Sequence, residues 1–413
     1  MNFTFAHIAD IHIGQYPGKV AAGGLNSRFV DFVSTYNESI DRIIADKVDF
    51  CLMPGDIFRT KTPGPDELDA FSDGIIKLIK NKIPIVGVLG NHDFALADKR
   101  VHSFAAMQRL LDFVKSEGVF DEQIFQMSVS QEILNVKTAT GIVQVQTMPY
   151  PMRNRVGLIK TSEIEQWMIK SINDTYEKRD KTKPIIFAGH FSIAGAMMSG
   201  EQINIDKFSE PLIPPAVFKD KDYLYVGMGH LHQYQVVSQK PLIVYCGSNN
   251  RVDFNEAKED KGFVEVKVTD DKVQHRFIKV NARKFVDLKY DLSEESDPGA
   301  KILQLITSEI DKISNAVVRI NVTISAANRY KYDDVEVEAF LNKYCYHIHG
   351  LTIPNIKAED AIHDIQGFEE TMGVTEALKH YAKVKGIANQ EQFIRLGEMI
   401  VKKVNGGNKN DLP

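Results

Sequence analysis

The 413-residue chain contains little cysteine, only Cys51, Cys246 and Cys345. An odd, widely spaced set without a C-x-x-C motif argues against both a disulfide framework and a zinc site built from thiolates. Cys51 and Cys246 lie in apolar runs and are predicted to be small core residues. We therefore expect a reducing environment for this chain.

Long hydrophobic runs are also missing. No uninterrupted apolar stretch approaches the ~20 residues that a membrane-spanning helix needs. The first ten residues lack a basic n-region and run directly into a strand-like segment, which argues against a signal peptide. These absences predict a cytoplasmic location for the chain.

An excess of positive charge is absent as well. The 50 Lys and Arg residues and the 55 Asp and Glu residues give a net charge of −5. Bulk charge therefore gives no support to non-specific nucleic-acid binding. It does not exclude such binding, because divalent cations can reverse the sign of a carboxylate-lined pocket and a local stripe of basic residues can bind a phosphate backbone.

Short apolar runs of strand type alternate with amphipathic segments over the N-terminal two thirds of the chain. The segments with helical spacing cover residues 28–46, 65–81 and 102–115. Such alternation predicts βαβ units and an α/β fold with a largely parallel core. The predicted strands are Phe3–Ala9, Val48–Met53, Ile83–Leu89, Pro184–Ala188, Tyr223–Met228 and Leu242–Cys246.

Each of these runs breaks at a polar turn, and five of the six turns carry Asp, Asn or His. Because ligand sites lie at the carboxyl ends of parallel strands, we expect the turns to converge on one edge of the sheet. The turns are Asp10-Ile11-His12, Gly55-Asp56, Gly90-Asn91-His92-Asp93, Gly189-His190, Gly229-His230-Leu231-His232 and, without a ligand-type residue, Cys246-Gly247-Ser248.

The residue types in these turns suit two metal ions. In D-x-H and H-x-H, the side chains at i and i+2 point the same way and reach one site. Two Asp, one Asn and four His, with no thiolate, are too rich in nitrogen for Mg²⁺ or Ca²⁺ and suit Mn²⁺, Fe²⁺ or Zn²⁺. Seven ligands exceed one tetrahedral site and fit two ions that share a carboxylate. Any one of these residues alone would more often be a turn residue or a core histidine.

The ordered set D-x-H, G-D, G-N-H-D, G-H and G-H-x-H resembles the calcineurin-like metallophosphoesterase superfamily. A later stretch resembles the SbcD-type nuclease subunits of the double-strand-break repair complex. Its residues are Tyr245-Cys246-Gly247-Ser248, Arg251, Phe254-Asn255-Glu256 and Lys261-Gly262-Phe263. The resemblance is strong over residues 1–265 and looser beyond.

The resemblance implies a two-layered β-sheet core flanked by helices, a small α+β capping domain and C-terminal helices. Residues 263–268 alternate and are expected to end the core as an edge strand or hairpin. The two C-terminal helices are predicted at 371–384 and 390–404, where they either bind a partner or fold back on their own domain. The expected domains are a nuclease domain (1–282), a DNA-binding capping domain (283–356), a partner-binding helical segment (365–405) and a flexible tail (406–413).

The family pattern also implies a role for each residue at the turns. Two ions would each take three ligands and share a seventh. The first ion would be held by Asp10, His12 and His232, the second by Asn91, His190 and His230, and Asp56 would bridge them. His92, beside Asn91, would act on the phosphate rather than on metal, and Asp93 is predicted to fix its loop through hydrogen bonds.

Arg59 departs from the family pattern. Three residues after the bridging Asp, the family commonly has Asp or His, and this chain has Arg. Either the guanidinium binds a phosphate with two hydrogen bonds, as a substrate-binding residue, or it is a solvated loop residue.

The resemblance implies a Mn²⁺-dependent DNA exonuclease and endonuclease that acts on DNA ends and hairpins. Two cations would polarise the phosphodiester and activate water, while His92 would stabilise or protonate the leaving 3′-oxygen. The implied partners are DNA, a second copy of the chain through the helices at 65–81 and 102–115, and an SMC-like ATPase of the SbcC type. The alternatives are a metallophosphoesterase for small substrates such as cyclic nucleotides and a non-catalytic DNA-end scaffold.

Overall fold

The computed structural model describes residues 1–21, 23–94, 102–116, 124–198, 210–350, 352–356, 372–384, 387 and 389–404. Helices and strands alternate from β1 to β4, and runs of strands or helices follow further along the described chain. The helices are α1 (Ser27–Ala45), α2 (Pro65–Lys80), α3 (Ala105–Ser116), α4 (Arg153–Val156), α5 (Thr161–Tyr176), α6 (Ala216–Lys219), α7 (Pro298–Ser308), α8 (Ile310–Ile313), α9 (Asp334–Asn342), α10 (Val374–Val384) and α11 (Gln390–Val404).

The strands lie in two large sheets, one small sheet and a two-stranded pair. They are β1 (Asn2–His7), β2 (Phe50–Pro54), β3 (Ile85–Val88), β4 (Phe125–Ser128), β5 (Glu132–Thr138), β6 (Gly141–Met148), β7 (Ile185–His190), β8 (Ser192–Ile193), β9 (Leu212–Ile213), β10 (Tyr223–Gly229), β11 (Gln235–Gln239), β12 (Leu242–Tyr245), β13 (Gly262–Thr269), β14 (Lys272–Lys279), β15 (Phe285–Leu292), β16 (Val317–Ile324), β17 (His347–Ile348) and β18 (Asn355–Ile356).

The first large sheet has the strand order β14-β13-β1-β2-β3-β4, and the second has the order β11-β12-β10-β7-β6-β5. Four neighbouring strands of each sheet are parallel, from β1 to β4 in the first and β12, β10, β7 and β6 in the second. Antiparallel strands flank them at the remaining positions. The carboxyl ends of the parallel strands in each sheet therefore lie along one edge.

The two sheets pack face to face through apolar side chains. Phe5 and Phe50 of the first sheet stack with ring centroids 4.8 Å apart, and the Tyr225 ring of the second sheet meets Phe5 edge-on at 5.4 Å. Val86 and Val244 belong to the same buried cluster. Successive side chains of a strand point to opposite faces, so Phe50 and Leu52 join the cluster between the sheets while Cys51 and Met53 join the cluster under the helices. The predicted two-layered core is confirmed.

Helices cover the outer face of the first sheet. Asn26 caps α1 by accepting hydrogen bonds from the amides of Arg28 and Phe29 at 2.9 and 3.0 Å. One face of α1 then buries residues at helical spacing against the sheet. Those residues include Phe29, Phe32, Tyr36, Ile40 and Ile43.

The helices predicted at 28–46, 65–81 and 102–115 are confirmed as α1, α2 and α3, with ends displaced by a few residues at most. The hairpin of β13 and β14 confirms the closing segment after Gly262. The prediction that the polar turns lie on one edge of one sheet was wrong, because their strands divide between two sheets. The β5–β6 hairpin and α5 were not predicted.

The chain divides into two compact units. One comprises residues 1–289, 303–321 and 334–352, and the other comprises 290–302, 322–333 and 353–413. In the second unit α10 and α11 form an antiparallel pair in which the Tyr381 and Phe393 rings stack at 5.8 Å. The boundaries of the capping domain and of the helical segment 365–405 stay predictions, and the tail 406–413 lies outside the described residues.

None of the described helices combines the length and apolar character that crossing a membrane would require.

Candidate metal centre

The backbone at the ends of β1, β2 and β10 turns sharply through left-handed conformations. Asp10, His12 and Asp56 have φ angles of 50, 51 and 52°, and His230 has 93°. These values are uncommon for residues with a Cβ and cluster where surrounding structure holds them in place. The turns after β1 and β2 are also hydrogen-bonded to each other. The Asp10 amide donates to the Gly55 carbonyl and the His12 amide to the Asp56 carbonyl, each at 3.1 Å.

Three overlapping groups of ligand-type side chains result, and all of their members except His92 are buried. Within each group the candidate ligand atoms all lie within 4.8 Å of one another. Asp10 and Asp56 are each shared between two groups, which is the arrangement that two neighbouring cations require. The groups are Asp10, His12 and His232; His12, Asp56 and His92; and Asp10, Asp56 and His190.

Asn91 joins the remaining histidines to this centre. Its side-chain oxygen lies 3.1 Å from His190 Nε2 and 3.2 Å from His230 Nδ1. The backbone amide of His230 in turn contacts both Asp10 carboxylate oxygens at 3.0 Å. The structure therefore brings all seven sequence-predicted ligands together, five of them by the groups above and Asn91 and His230 by these contacts.

The donor set fits metal cations. His12 Nε2 and His232 Nε2 face each other at 3.0 Å beside the Asp10 carboxylate. Two imidazole nitrogens that converge with a carboxylate oxygen form a typical site for a borderline divalent ion. Six of the seven predicted ligand side chains are buried, and Asn91 is the exception. Water therefore contributes little to solvating their charges.

Four histidines hold one ring nitrogen away from the centre. His190 Nδ1 lies 2.8 Å from the Pro54 carbonyl oxygen, and His232 Nδ1 lies 2.9 Å from Glu256 Oε1. His230 Nε2 contacts Glu210 Oε1, and His92 Nδ1 lies 2.6 Å from the Arg59 carbonyl oxygen. A carbonyl oxygen can only accept, so His190 and His92 donate from Nδ1 and present Nε2 inward.

Electrostatic coupling dominates the centre. Burial would raise the pKa of Asp56, but His190 and His92 hold it well below its usual range. Burial would lower the pKa of His190, yet Asp56 raises it to about 9. Burial and His232 hold the pKa of His12 well below its usual value. These shifts all arise from the close packing of buried carboxylates and imidazoles in one centre.

Asp93 fixes the loop that carries Asn91 and His92, as predicted. Its carboxylate accepts hydrogen bonds from the amides of Asp56 at 2.8 Å, Ile57 at 3.2 Å and Gly90 at 2.9 Å. The carboxylate is fully buried, so these three amides replace its hydration. Asp56 Oδ1 fixes the same loop by accepting a hydrogen bond from the His92 amide at 2.8 Å.

Arg59 packs against an aromatic side chain instead of extending into solvent. Its guanidinium lies over the Tyr16 ring at 4.1 Å from the centroid, and the Tyr16 ring stacks on Phe32 at 4.4 Å. Its backbone carbonyl is the acceptor for His92. The backbone of Arg59 thus helps to position the His92 ring.

Sequence reasoning assigned no role to four residues that support the centre. Glu210 contacts His230, and buried Lys261 pairs with Glu256 behind His232. Tyr150 lies with its ring centroid 5.7 Å from that of His230. Glu210 and Tyr150 stand in stretches without a motif, so no local signal marks them. Glu256 and Lys261 belong to the stretch that carried the SbcD resemblance.

Comparisons with known proteins agree with this arrangement. The calcineurin-like phosphoesterase family matches residues 3–234. The chain is 25% identical over 271 residues to a DNA double-strand break repair protein Mre11 from Methanococcus maripaludis, and the match covers 62% of this chain and 60% of that protein. An SbcCD nuclease subunit from Staphylococcus saprophyticus is 23% identical over 66% of this chain and 67% of its own length.

A further Mre11 protein, from Archaeoglobus fulgidus, is 23% identical over 82% of this chain and 75% of its own. The chain thus spans between three fifths and three quarters of the length of these relatives.

Proposed function

The chain belongs to the calcineurin-like phosphoesterase family, and from that premise we propose that it is a metal-dependent DNA nuclease that processes DNA ends in double-strand break repair. The observation that carries this proposal is the convergence of seven ligand-type side chains from two sheets on one centre. The names of the relatives, DNA double-strand break repair protein and nuclease subunit, supply the substrate class.

The proposed ligands divide between two ions. Asp10, His12 and His232 would hold the first, Asn91, His190 and His230 the second, and Asp56 would bridge them. When bound, two such cations supply Lewis-acid polarisation of a phosphate ester and lower the pKa of water. The nitrogen-rich donor set suits Mn²⁺, Fe²⁺ or Zn²⁺ better than Mg²⁺ or Ca²⁺. We propose Mn²⁺ because the resemblance to the SbcD-type nucleases implies it, with Fe²⁺ or Zn²⁺ as substitutes.

His92 is the proposed catalytic residue that needs no metal. Its Nδ1 donates to the Arg59 carbonyl, so a proton handed to a leaving oxygen comes from Nε2. The Asp56 carboxylate lies beside this ring, with ligand-type atoms of the two side chains within 4.8 Å of each other. The Arg59 side chain, half-buried on Tyr16, would contact the substrate backbone at the edge of the centre.

A nuclease assay tests the proposal. Labelled linear and hairpin DNA would be incubated with the protein in Mn²⁺ or Mg²⁺, with a small phosphodiester as competitor. We expect cleavage of DNA that is faster in Mn²⁺ and little affected by the competitor. Hydrolysis of the small diester alone would favour the small-substrate enzyme, and DNA binding without cleavage would favour the scaffold.

We propose that the protein acts as a homodimer through α2 and α3. Leu110 and Phe113 on α3 are 63 and 61% exposed, and Ile76 on α2 is 46% exposed. Large exposed apolar side chains on neighbouring helices are typical of an interface. Light scattering should show a dimer for the native chain and a monomer for Leu110→Glu/Phe113→Glu, while Lys77→Glu on α2 should stay dimeric.

We further propose that α10 and α11 bind an SMC-like ATPase. Leu396 on α11 is half exposed and lies on a helix that is otherwise strongly amphipathic. A chain lacking residues 365–413 should still hydrolyse a small diester but should not capture the ATPase. Unchanged capture would refute this role for the helices.

A further inference from the structure

The stretch that follows the last histidine turn carried the resemblance to the nuclease subunits but no function. In the structure this stretch leaves β12 at Gly247, passes through Ser248 and returns to the first sheet at Gly262. Two of its side chains point into the protein behind the metal centre. Glu256 is fully buried, and Lys261 is 1% exposed.

Glu256 connects directly to a proposed metal ligand. Its Oε1 lies 2.9 Å from His232 Nδ1. Its Oε2 lies 2.6 Å from Lys261 Nζ and accepts from the Val252 amide at 3.1 Å. Each carboxylate oxygen therefore has its own partner, one toward the centre and one away from it.

Lys261 is held by a comparable set of contacts. Its ammonium donates to Ser248 Oγ at 2.8 Å, Glu259 Oε2 at 2.8 Å and the His232 carbonyl at 3.2 Å, besides its pairing with Glu256. All of these contacts come from the stretch 248–261 or from His232 itself. The network is thus closed around one histidine, and its polar atoms are satisfied within it.

A buried ion pair of this kind is a poor source of stability, since well-packed apolar residues of similar volume do as well or better. The contact of the pair with His232 explains its presence better than stability does. An ionised carboxylate can only accept, so it fixes His232 as the tautomer with a hydrogen on Nδ1. His232 Nε2 then faces His12 Nε2 at 3.0 Å with its lone pair available.

We propose that Glu256 and Lys261 form a positioning pair that orients His232 and strengthens binding of the first ion. The inference rests on the proposed metal centre. Glu256 sets the ring orientation through Oε1, and Lys261 holds the other oxygen of the same carboxylate at 2.6 Å. Neither residue touches the substrate, so both act through His232. Partners of this kind commonly change metal affinity by about 10- to 100-fold.

The test is a calorimetric titration of the full-length protein with Mn²⁺ in the absence of DNA. The native chain should show two binding steps. Glu256→Gln should weaken one step by about 10- to 100-fold and leave the other in place. Lys261→Met should weaken the same step, and the double variant should be no worse than Glu256→Gln alone because the two residues act in series.

Glu259→Gln is the matched control. Glu259 contacts Lys261 but not His232, so its removal should leave both Mn²⁺ steps unchanged. Glu256→Asp keeps the charge beside Lys261 but is one methylene shorter, so it should weaken the step while unfolding near the native temperature. This variant keeps the test decisive if Glu256→Gln unfolds.

Two contrary outcomes are distinguishable. If Glu256→Gln and Glu256→Asp lower the melting temperature but bind Mn²⁺ as the native chain does, the pair is merely structural and the positioning role is overturned, while the metal centre stands. If the native chain shows no Mn²⁺ step, the metal centre fails and the proposed function fails with it.

Discussion

The two sheets reach the metal centre by different means. The first sheet supplies the oxygen ligands Asp10, Asp56 and Asn91. Left-handed backbone aims the two aspartates, and the Asp56 carboxylate also accepts a hydrogen bond from the His92 amide. The second sheet supplies only imidazoles, each of which contacts an oxygen acceptor outside the centre. A short carboxylate is aimed by its backbone, whereas an imidazole has two different nitrogens and needs a partner to choose between them.

The acceptors of the second sheet come from distant parts of the chain. Pro54 belongs to β2 of the opposite sheet, Glu210 precedes β9, and Glu256 follows β12. His12 is the one imidazole that the first sheet contributes to the proposed ligand set. We therefore expect substitutions at the ends of the first sheet to remove metal ligands. Substitutions behind the second sheet should leave the ligands in place but weaken metal binding.

The largest effect is expected from substitution of an oxygen ligand of the first sheet. Asp56→Asn removes the negative charge shared by the two proposed ions, so hydrolysis of DNA and of a small diester should fall by about 10³-fold. The variant keeps the size of the side chain, and its fold should be intact by circular dichroism. Asp73→Asn, an exposed change of the same kind on α2, should be fully active. An active Asp56→Asn protein would contradict the bridging role.

His92 separates catalysis from metal binding on the same sheet. His92→Ala should lower kcat by about 10²-fold or more, because a positioned acid is lost. Mn²⁺ binding measured by calorimetry should be unchanged. A lost Mn²⁺ step would instead make His92 a ligand, in line with its place beside His12 and Asp56.

Glu210 tests the acceptors of the second sheet. Glu210→Gln removes the charge that His230 Nε2 contacts, so Mn²⁺ should bind one site about tenfold more weakly. The weakened step should be the one that Glu256→Gln leaves in place, because the two glutamates support different ions. Ser192→Ala, which removes a 2.9 Å hydrogen bond to Glu210, should have a smaller effect in the same direction. If Glu210→Gln and Glu256→Gln weakened the same Mn²⁺ binding step, the assignment of the two glutamates to different ions would be wrong.

The last prediction concerns a buried histidine for which the described residues supply no carboxylate partner. His7 lies between the sheets with Nδ1 2.9 Å from Tyr225 Oη, and burial lowers its pKa to about 3. The unfolded chain takes up this proton below about pH 6.5, so stability is lost as the pH falls from 6.5 toward 3, by about 1.4 kcal/mol per unit.

Urea unfolding with EDTA at pH 6.5 and 4.5 measures this loss. His7→Phe should lose less stability than the native chain over this interval. Equal losses in the two proteins would show that His7 is not kept neutral by burial.

Much of the centre was predictable because its signals are local. Each polar turn follows an apolar strand, and parallel strands bring their carboxyl ends together, so Asp10, Asp56 and His190 were expected to meet. The strand pattern alone did not predict the division of these strands between two sheets, since alternation of strands and helices is the same for one parallel sheet or two. Only the family resemblance implied two layers. The β5–β6 hairpin escaped prediction although its strands pair over seven residues.

The sequence by itself determined which residues could bind metal, because ligand chemistry depends on residue type and on spacing along a strand. Only the tertiary structure decided how each ligand is aimed. Glu210, Glu256 and the Pro54 and Arg59 carbonyls reach their histidines across separations that no local pattern records. The physical reason is that hydrogen bonds depend on distance in space, and the packing of two sheets sets those distances.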